Sequence, residues 1–138
     1  MNRRQLLTSS AMTMVAAATA SPLLAENKST TRTRSLIDTA NDCIVSCEQC
    51  LTHCLDELAQ GEKAMAECAN SVRECIAVCE GLVTLAAMDS SHLKSYVKVC
   101  SEVCRACEEI CRKHENHHQS CKECAEACRR CIEACEAI

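Results

Sequence analysis

The sequence predicts an all-α protein, an antiparallel up-down four-helix bundle with a Cys-lined core. Three observations carry that prediction. Sixteen of the 138 residues are Cys, and nearly all are spaced three or four apart. Alternating steps of three and four hold side chains on one face of an α-helix. There is no Phe and no Trp, one Tyr (Tyr96), two Gly (Gly61, Gly81) and one Pro (Pro22). Strands want β-branched and aromatic runs separated by turn residues. This chain instead runs in long stretches of Ala, Glu, Lys, Arg, Leu and Cys, with four Cys-bearing segments parted by turn signals.

Helix one is expected over residues 33–59, with the stripe Leu36, Ala40, Cys43, Cys47, Cys50, Cys54. Gly61 marks the turn that follows. Helix two is expected over residues 62–88, with the stripe Met65, Cys68, Val72, Cys75, Cys79, Leu82, Ala86. Asp89, Ser90 and Ser91 offer an N-cap for helix three. That helix is expected over residues 91–115, with Leu93, Val97, Cys100, Cys104, Cys107, Cys111 and His114 in line. Helix four starts near residues 116–118, where Asn116 and Gln119 have capping-box spacing. Its stripe is His117, Cys121, Cys124, Cys128, Cys131, Cys135 and Ile138.

Short connections make neighbouring helices antiparallel, so the stripes can be read in layers. The end with the turns near Gly61 and Asn116 collects Cys54, Met65, Cys111, His114, His117 and Cys121. The end near Asp89 collects Leu36, Ala40, Leu82, Ala86, Leu93, Val97 and Ile138. One end is therefore plugged by aliphatic side chains, while the other offers thioether, imidazole and thiol to solvent. Ile44, Leu51, Leu58, Ile76, Val83, Val103, Ile110 and Ile132 flank the stripes and should seal the seams or form an oligomer face. His53 and His92 fall off the stripes and read as surface residues.

The N-terminus reads as a targeting segment. The run from Asn2 through Arg3 and Arg4 to Leu7 resembles a bacterial twin-arginine export signal. The apolar stretch at residues 6–20 is too short to span a membrane. Cleavage is expected after Ala25. That leaves residues 26–32 as a polar, flexible segment and residues 33–138 as the bundle. Without Arg3 and Arg4, thirteen basic residues face nineteen acidic ones, a formal charge of −6. Nucleic acid calls for a basic face, so the charge argues against that class, and it gives no specific support for a membrane partner.

Cys-rich exported chains are usually disulfide scaffolds. Helical neighbours at i and i+4 have Cβ atoms about 5–6 Å apart, whereas a disulfide needs about 3.5–4.5 Å, so bridges within one helix would distort it while bridges between facing helices stay open. The stripes therefore read as soft ligands, suited to Cu(I), Zn(II) or iron–sulfur clusters. Zinc on four thiolates leaves a charge of −2, and several such sites in one core would repel. One Cu(I) per bridging thiolate leaves the core neutral. Met65, His114 and His117 could pass such ions to the first thiolates, or could equally be a core plug and a solvated helix end. Cys43, Cys47 and Cys50 have radical-enzyme cluster spacing, as do Cys100, Cys104 and Cys107, but that pattern needs a barrel enzyme around it. His114, Glu115 and His118 match the zinc-protease pattern H-E-x-x-H. That motif requires one continuous helix turn, a third ligand and a cleft, and here it falls at a turn. No nucleophile–base pair or phosphate loop is visible, so no enzyme is expected. A zinc or thiol redox buffer and a disulfide-rich structural module remain as alternatives.

Taken together, the twin-arginine start, the four Cys-lined helices and the repeated Cys-x3-Cys and Cys-x2-Cys steps resemble the exported bacterial copper storage proteins. The resemblance covers essentially all of the mature chain. It implies a periplasmic protein that stores and buffers multiple Cu(I) ions in its core, fed and emptied by a copper donor and acceptor of unknown identity. The implied ligands are the sixteen Cys, with Met65, His114 and His117 at the open end. Exported members often form tetramers, so a homo-oligomer is also implied. Helix two departs from the pattern, with Val72 where a thiol could stand.

Overall fold

The computed structural model describes residues 22–138. The twin-arginine run lies outside them. Four helices follow in order: α1 Pro22–Ala59, α2 Met65–Ala87, α3 Leu93–Arg112 and α4 Gln119–Glu136. Each helix packs against two neighbours, in the ring α1–α2–α3–α4, and the diagonal pairs stay more than 8 Å apart, Cα to Cα. The bundle is thus square in section, with all four stripes facing a shared axis. Among the described residues there are no strands.

The first helix is longer than its stripe requires. Residues 26–32, expected as a flexible segment, are helical and belong to α1, with residues 27–32 exposed. Pro22 suits a first helical turn because its missing N–H would lack a partner there anyway. No Gly or Pro follows it before Gly61. Hydroxyls that could compete with the helix instead donate back into it, Thr31 to the Asn27 carbonyl at 2.9 Å and Thr33 to that of Ser29 at 3.2 Å. With about 1.5 Å rise per residue, α1 is about 57 Å long against about 35 Å for α2, and it overhangs its partners.

The helix ends are set by backbone geometry more than by the expected side-chain caps. Gly61 takes φ 97°, and the Glu62 and Gly61 N–H groups return to the carbonyls of Glu57 and Leu58, both at 3.0 Å. This paired closure is the left-handed helix stop. The same closure ends α2, but with Asp89 at φ 51°, Ser90 N–H reaching Leu85 and Asp89 N–H reaching Ala86. Asp89 therefore finishes α2 rather than starting α3. Of the expected cap, only Ser90 acts, its Oγ accepting from His92 N–H at 3.2 Å. The expected Asn116–Gln119 capping box is not formed. α4 begins at Gln119, so Gln119 sits too early to reach back, and its amide donates to Glu123 at 2.9 Å.

All sixteen Cys are buried, and with them Leu36, Ala40, Leu82, Ala86, Leu93 and Val97 at the Asp89 end. Ile138 is half-buried beside them. Ile76 and Ile132 are buried, while Ile44, Leu51, Leu58, Val83, Val103 and Ile110 pack half-buried against the core and close the seams. Gly81 leaves room for Tyr96: a Cβ there would press on the phenol, with Cζ at 2.9 Å.

Candidate metal centre

Each helix delivers its thiols to the axis because steps of three and four return to one face. The sixteen are free thiols, packed sulfur to sulfur. The contacts cross between helices: Cys47 to Cys124 at 3.5 Å, Cys68 to Cys111 at 3.6 Å, Cys75 to Cys104 at 3.7 Å and Cys50 to Cys121 at 3.8 Å. They also run along helices, Cys50 to Cys54 at 4.0 Å and Cys100 to Cys104 at 3.9 Å. Several foursomes have all sulfurs within 4.8 Å of one another, among them Cys50, Cys54, Cys68 and Cys121 near one end. Cys79, Cys100, Cys104 and Cys131 form another toward the opposite end. The foursomes Cys43–Cys47–Cys75–Cys128 and Cys47–Cys107–Cys124–Cys128 overlap between them.

Such crowding cannot ionise every thiol at once. Donation from Cys111, then Cys121, Cys50 and Cys54, holds Cys68 far below the usual thiol range. Cys104 is held low in the same way by Cys100, Cys128 and Cys131. Cys128 is pushed far up by Cys104, Cys107, Cys124 and Cys43, with burial adding to it. At the end of the array, Cys100 and Cys131 lower Cys135 to about 4. Thiols held low in this way lie against neighbours that are pushed up and donate to them. Metal ions that replace those protons would supply the positive charge the thiolates lack.

The histidines depart in part from the expected placement. Met65 is fully buried beside the thiols, at the end where α1 turns into α2. His114 is half-buried at the same end, but His117 is exposed. His53 and His118, which the stripes do not include, meet there instead, His53 Nε2 to His118 Nδ1 at 2.7 Å. His114 stands edge-on to His118 with ring centroids 6.2 Å apart. The backbone explains this: His118 is extended, φ −132°, ψ 103°, so its ring leaves the phase of α4 and turns to α1. The only sequence signal was position, with His53 preceding Cys54 and His118 lying three before Cys121. The H-E-x-x-H run occupies this turn between α3 and α4, not a continuous helix, so its histidines lack the protease arrangement. Among the described residues, no helix is long and apolar enough to cross a membrane.

Comparison with known proteins agrees with this geometry. The family model described as copper storage protein matches residues 29–138. The cysteine-rich protein YhjQ of Bacillus subtilis is 33% identical over 70 residues, 51% of this chain and 63% of that protein, so the chain spans less than two-thirds of it. The Cu(I)-bound copper storage protein BsCsp3 superposes with a TM-score of 0.70 at 33% identity, covering 77% of this chain and 96% of that one. A cytosolic copper storage protein from Streptomyces lividans, in a copper-loading structure, gives 0.74 at 25% identity, covering 80% and 94%. With a thiol-lined bundle matched over nearly all of its described length, the chain belongs to the copper storage protein family.

Proposed function

We propose that the protein stores and buffers multiple Cu(I) ions, held as bridged thiolate clusters by its sixteen Cys, with no catalytic turnover. One observation carries the reading above all: sixteen buried thiols touch one another along the length of a single bundle. Soft thiolates suit Cu(I). Each ion displaces a proton and bridges neighbouring sulfurs, so charge is cancelled as the core fills. Met65, His114 and His117 receive the first ions at the open end, and the His53–His118 pair stands beside them. The aliphatic plug keeps water from the far end. A copper donor and a copper acceptor work with the store, and the subunits associate, with a tetramer as the expected form.

The test is an anaerobic Cu(I) titration of the reduced protein against a competing Cu(I) chelator. Uptake of about sixteen ions per chain, one for each Cys, is expected. Saturation at one or two ions would sink the storage reading.

We also propose export to the periplasm by the twin-arginine route, with residues 1–25 removed. The support is the Arg3–Arg4 pair ahead of a short apolar stretch. Folding before export would shield the thiols from an oxidising compartment. Cell fractionation checks it: the protein is expected among periplasmic proteins, and the double change Arg3→Lys, Arg4→Lys should retain it in the cytoplasm. Equal retention of both forms would refute export.

A further inference from the structure

Val72 breaks an otherwise regular array. Along α2 the stripe runs Met65, Cys68, Val72, Cys75, Cys79, and Val72 is as fully buried as the thiols around it. Three helices carry thiols across this level, by the steps Cys47 to Cys50, Cys107 to Cys111 and Cys121 to Cys124. On α2 the step from Cys68 to Cys75 is seven residues, about 10.5 Å of rise, against sulfur contacts of 3.5–4.0 Å elsewhere.

Most of the sulfur contacts within 4.0 Å fall to one side or the other of this level. Toward the histidine end, Cys50 touches Cys54, Cys68 and Cys121, and Cys68 touches Cys111. Toward the plugged end, Cys75 touches Cys43, Cys104 and Cys128, and Cys79 carries the network on to Cys100 and Cys131. At the level itself Cys47 meets Cys124 at 3.5 Å, and sulfur-to-sulfur hydrogen bonds also tie the outer Cys50 and Cys111 to Cys124, and Cys111 to Cys107. Cys107 joins Cys47, Cys124 and Cys128 within 4.8 Å. The neck is thus three thiols facing one isopropyl group.

We propose that Val72 partitions the core into two copper pools, an outer one of five thiols that exchanges quickly and an inner one that exchanges slowly through the neck. This rests on the storage reading above. An ion moves inward by ligand exchange: a Cu–S bond to the next thiolate forms as one to the previous thiolate breaks. The metal stays Cu(I), and the vacated thiolate accepts the following ion or a proton. At the neck the ion has fewer sulfurs to step to, and α2 offers none.

The experiment follows copper withdrawal from the fully loaded protein by an excess of a Cu(I) chelator, anaerobically. Total copper is measured first, so a failure of storage shows as low capacity before any kinetics are read. The expected release is biphasic, with about a third of the copper fast, from five thiols of sixteen. Tyr96, the single Tyr of the chain, has its phenol pushed up first by burial and then by the charge of Cys100 and Cys79 in the inner pool. Its fluorescence should recover with the slow phase alone. Val72→Cys should merge the phases by speeding the slow one about tenfold, as when one barrier is lowered. Val72→Ala, which opens space without adding a ligand, should stay biphasic. Cys107→Ala, which thins the neck, should slow the inner phase further. Single-phase release from a full wild-type store would overturn the partition. An unchanged slow phase in a folded, copper-filled Val72→Cys would overturn the role of Val72. Where that variant does not fold, the Tyr96 trace and Cys107→Ala decide.

Discussion

Cys135 differs from its fifteen companions in one respect that matters for chemistry. It is 3% exposed where the others are wholly buried. Donation from Cys100 and then Cys131 lowers it to about 4. A thiol so lowered is already thiolate above that pH, and the thiolate is the reactive form. Cys135 should therefore be alkylated first when the apo protein meets a small excess of iodoacetamide. Its rate should barely change between about pH 6 and 8, whereas an ordinary thiol near 8.5 would speed up steeply over that range. Peptide mapping after brief treatment checks both statements, and first labelling at another Cys would refute them. Single positions were unevenly legible in the sequence. Each Cys declared its face through its distance to the next, but His53 and His118 could not, because their meeting depends on one extended residue between two helices.

The connections between helices show the same contrast. Gly61 and Asp89 perform one task, a left-handed stop, with different residues. Nothing lies within 4 Å of a Cβ built on Gly61, so Gly61→Ala meets only backbone strain, about 1–2 kcal/mol. Its Tm should fall by about 5 °C. Asp89→Gly relieves strain of the same kind but gains unfolded-state freedom, so it should raise stability by less than about 1 kcal/mol. Thermal unfolding of the two apo variants tests the pair, and a shared sign would contradict it. The stripes gave the middle of every helix, since a period of three and four has no other regular solution. The ends were harder to read. Asp89 and Ser90 suggest a start when viewed from α3 and a finish when viewed from α2, and only the chain path decides between them. Likewise residues 27–32 of α1 are exposed, so no hydrophobic period announces them.

For the molecule as a whole, the asymmetric core was legible because antiparallel order converts four stripes into layers. Stripe order alone puts Leu36, Ala40, Leu82 and Ala86 at one end, and Met65 and His114 at the other. What layering could not reveal was how the thiols group, since that depends on sulfur positions to within an ångström or so. The ring of four helices without diagonal contact leaves a shared axis, and Val72 is a fully buried aliphatic side chain set between the thiols Cys68 and Cys75 of α2.

The aliphatic plug has a consequence for sequence in time. Under the storage proposed above, a vessel stoppered at one end would fill from its depth outward and empty from its rim inward. Atoms that arrive early would settle deepest and depart last, so the order of departure would reverse the order of arrival. A cell drawing on such a vessel during scarcity would first spend its most recent acquisitions and keep its oldest ones longest.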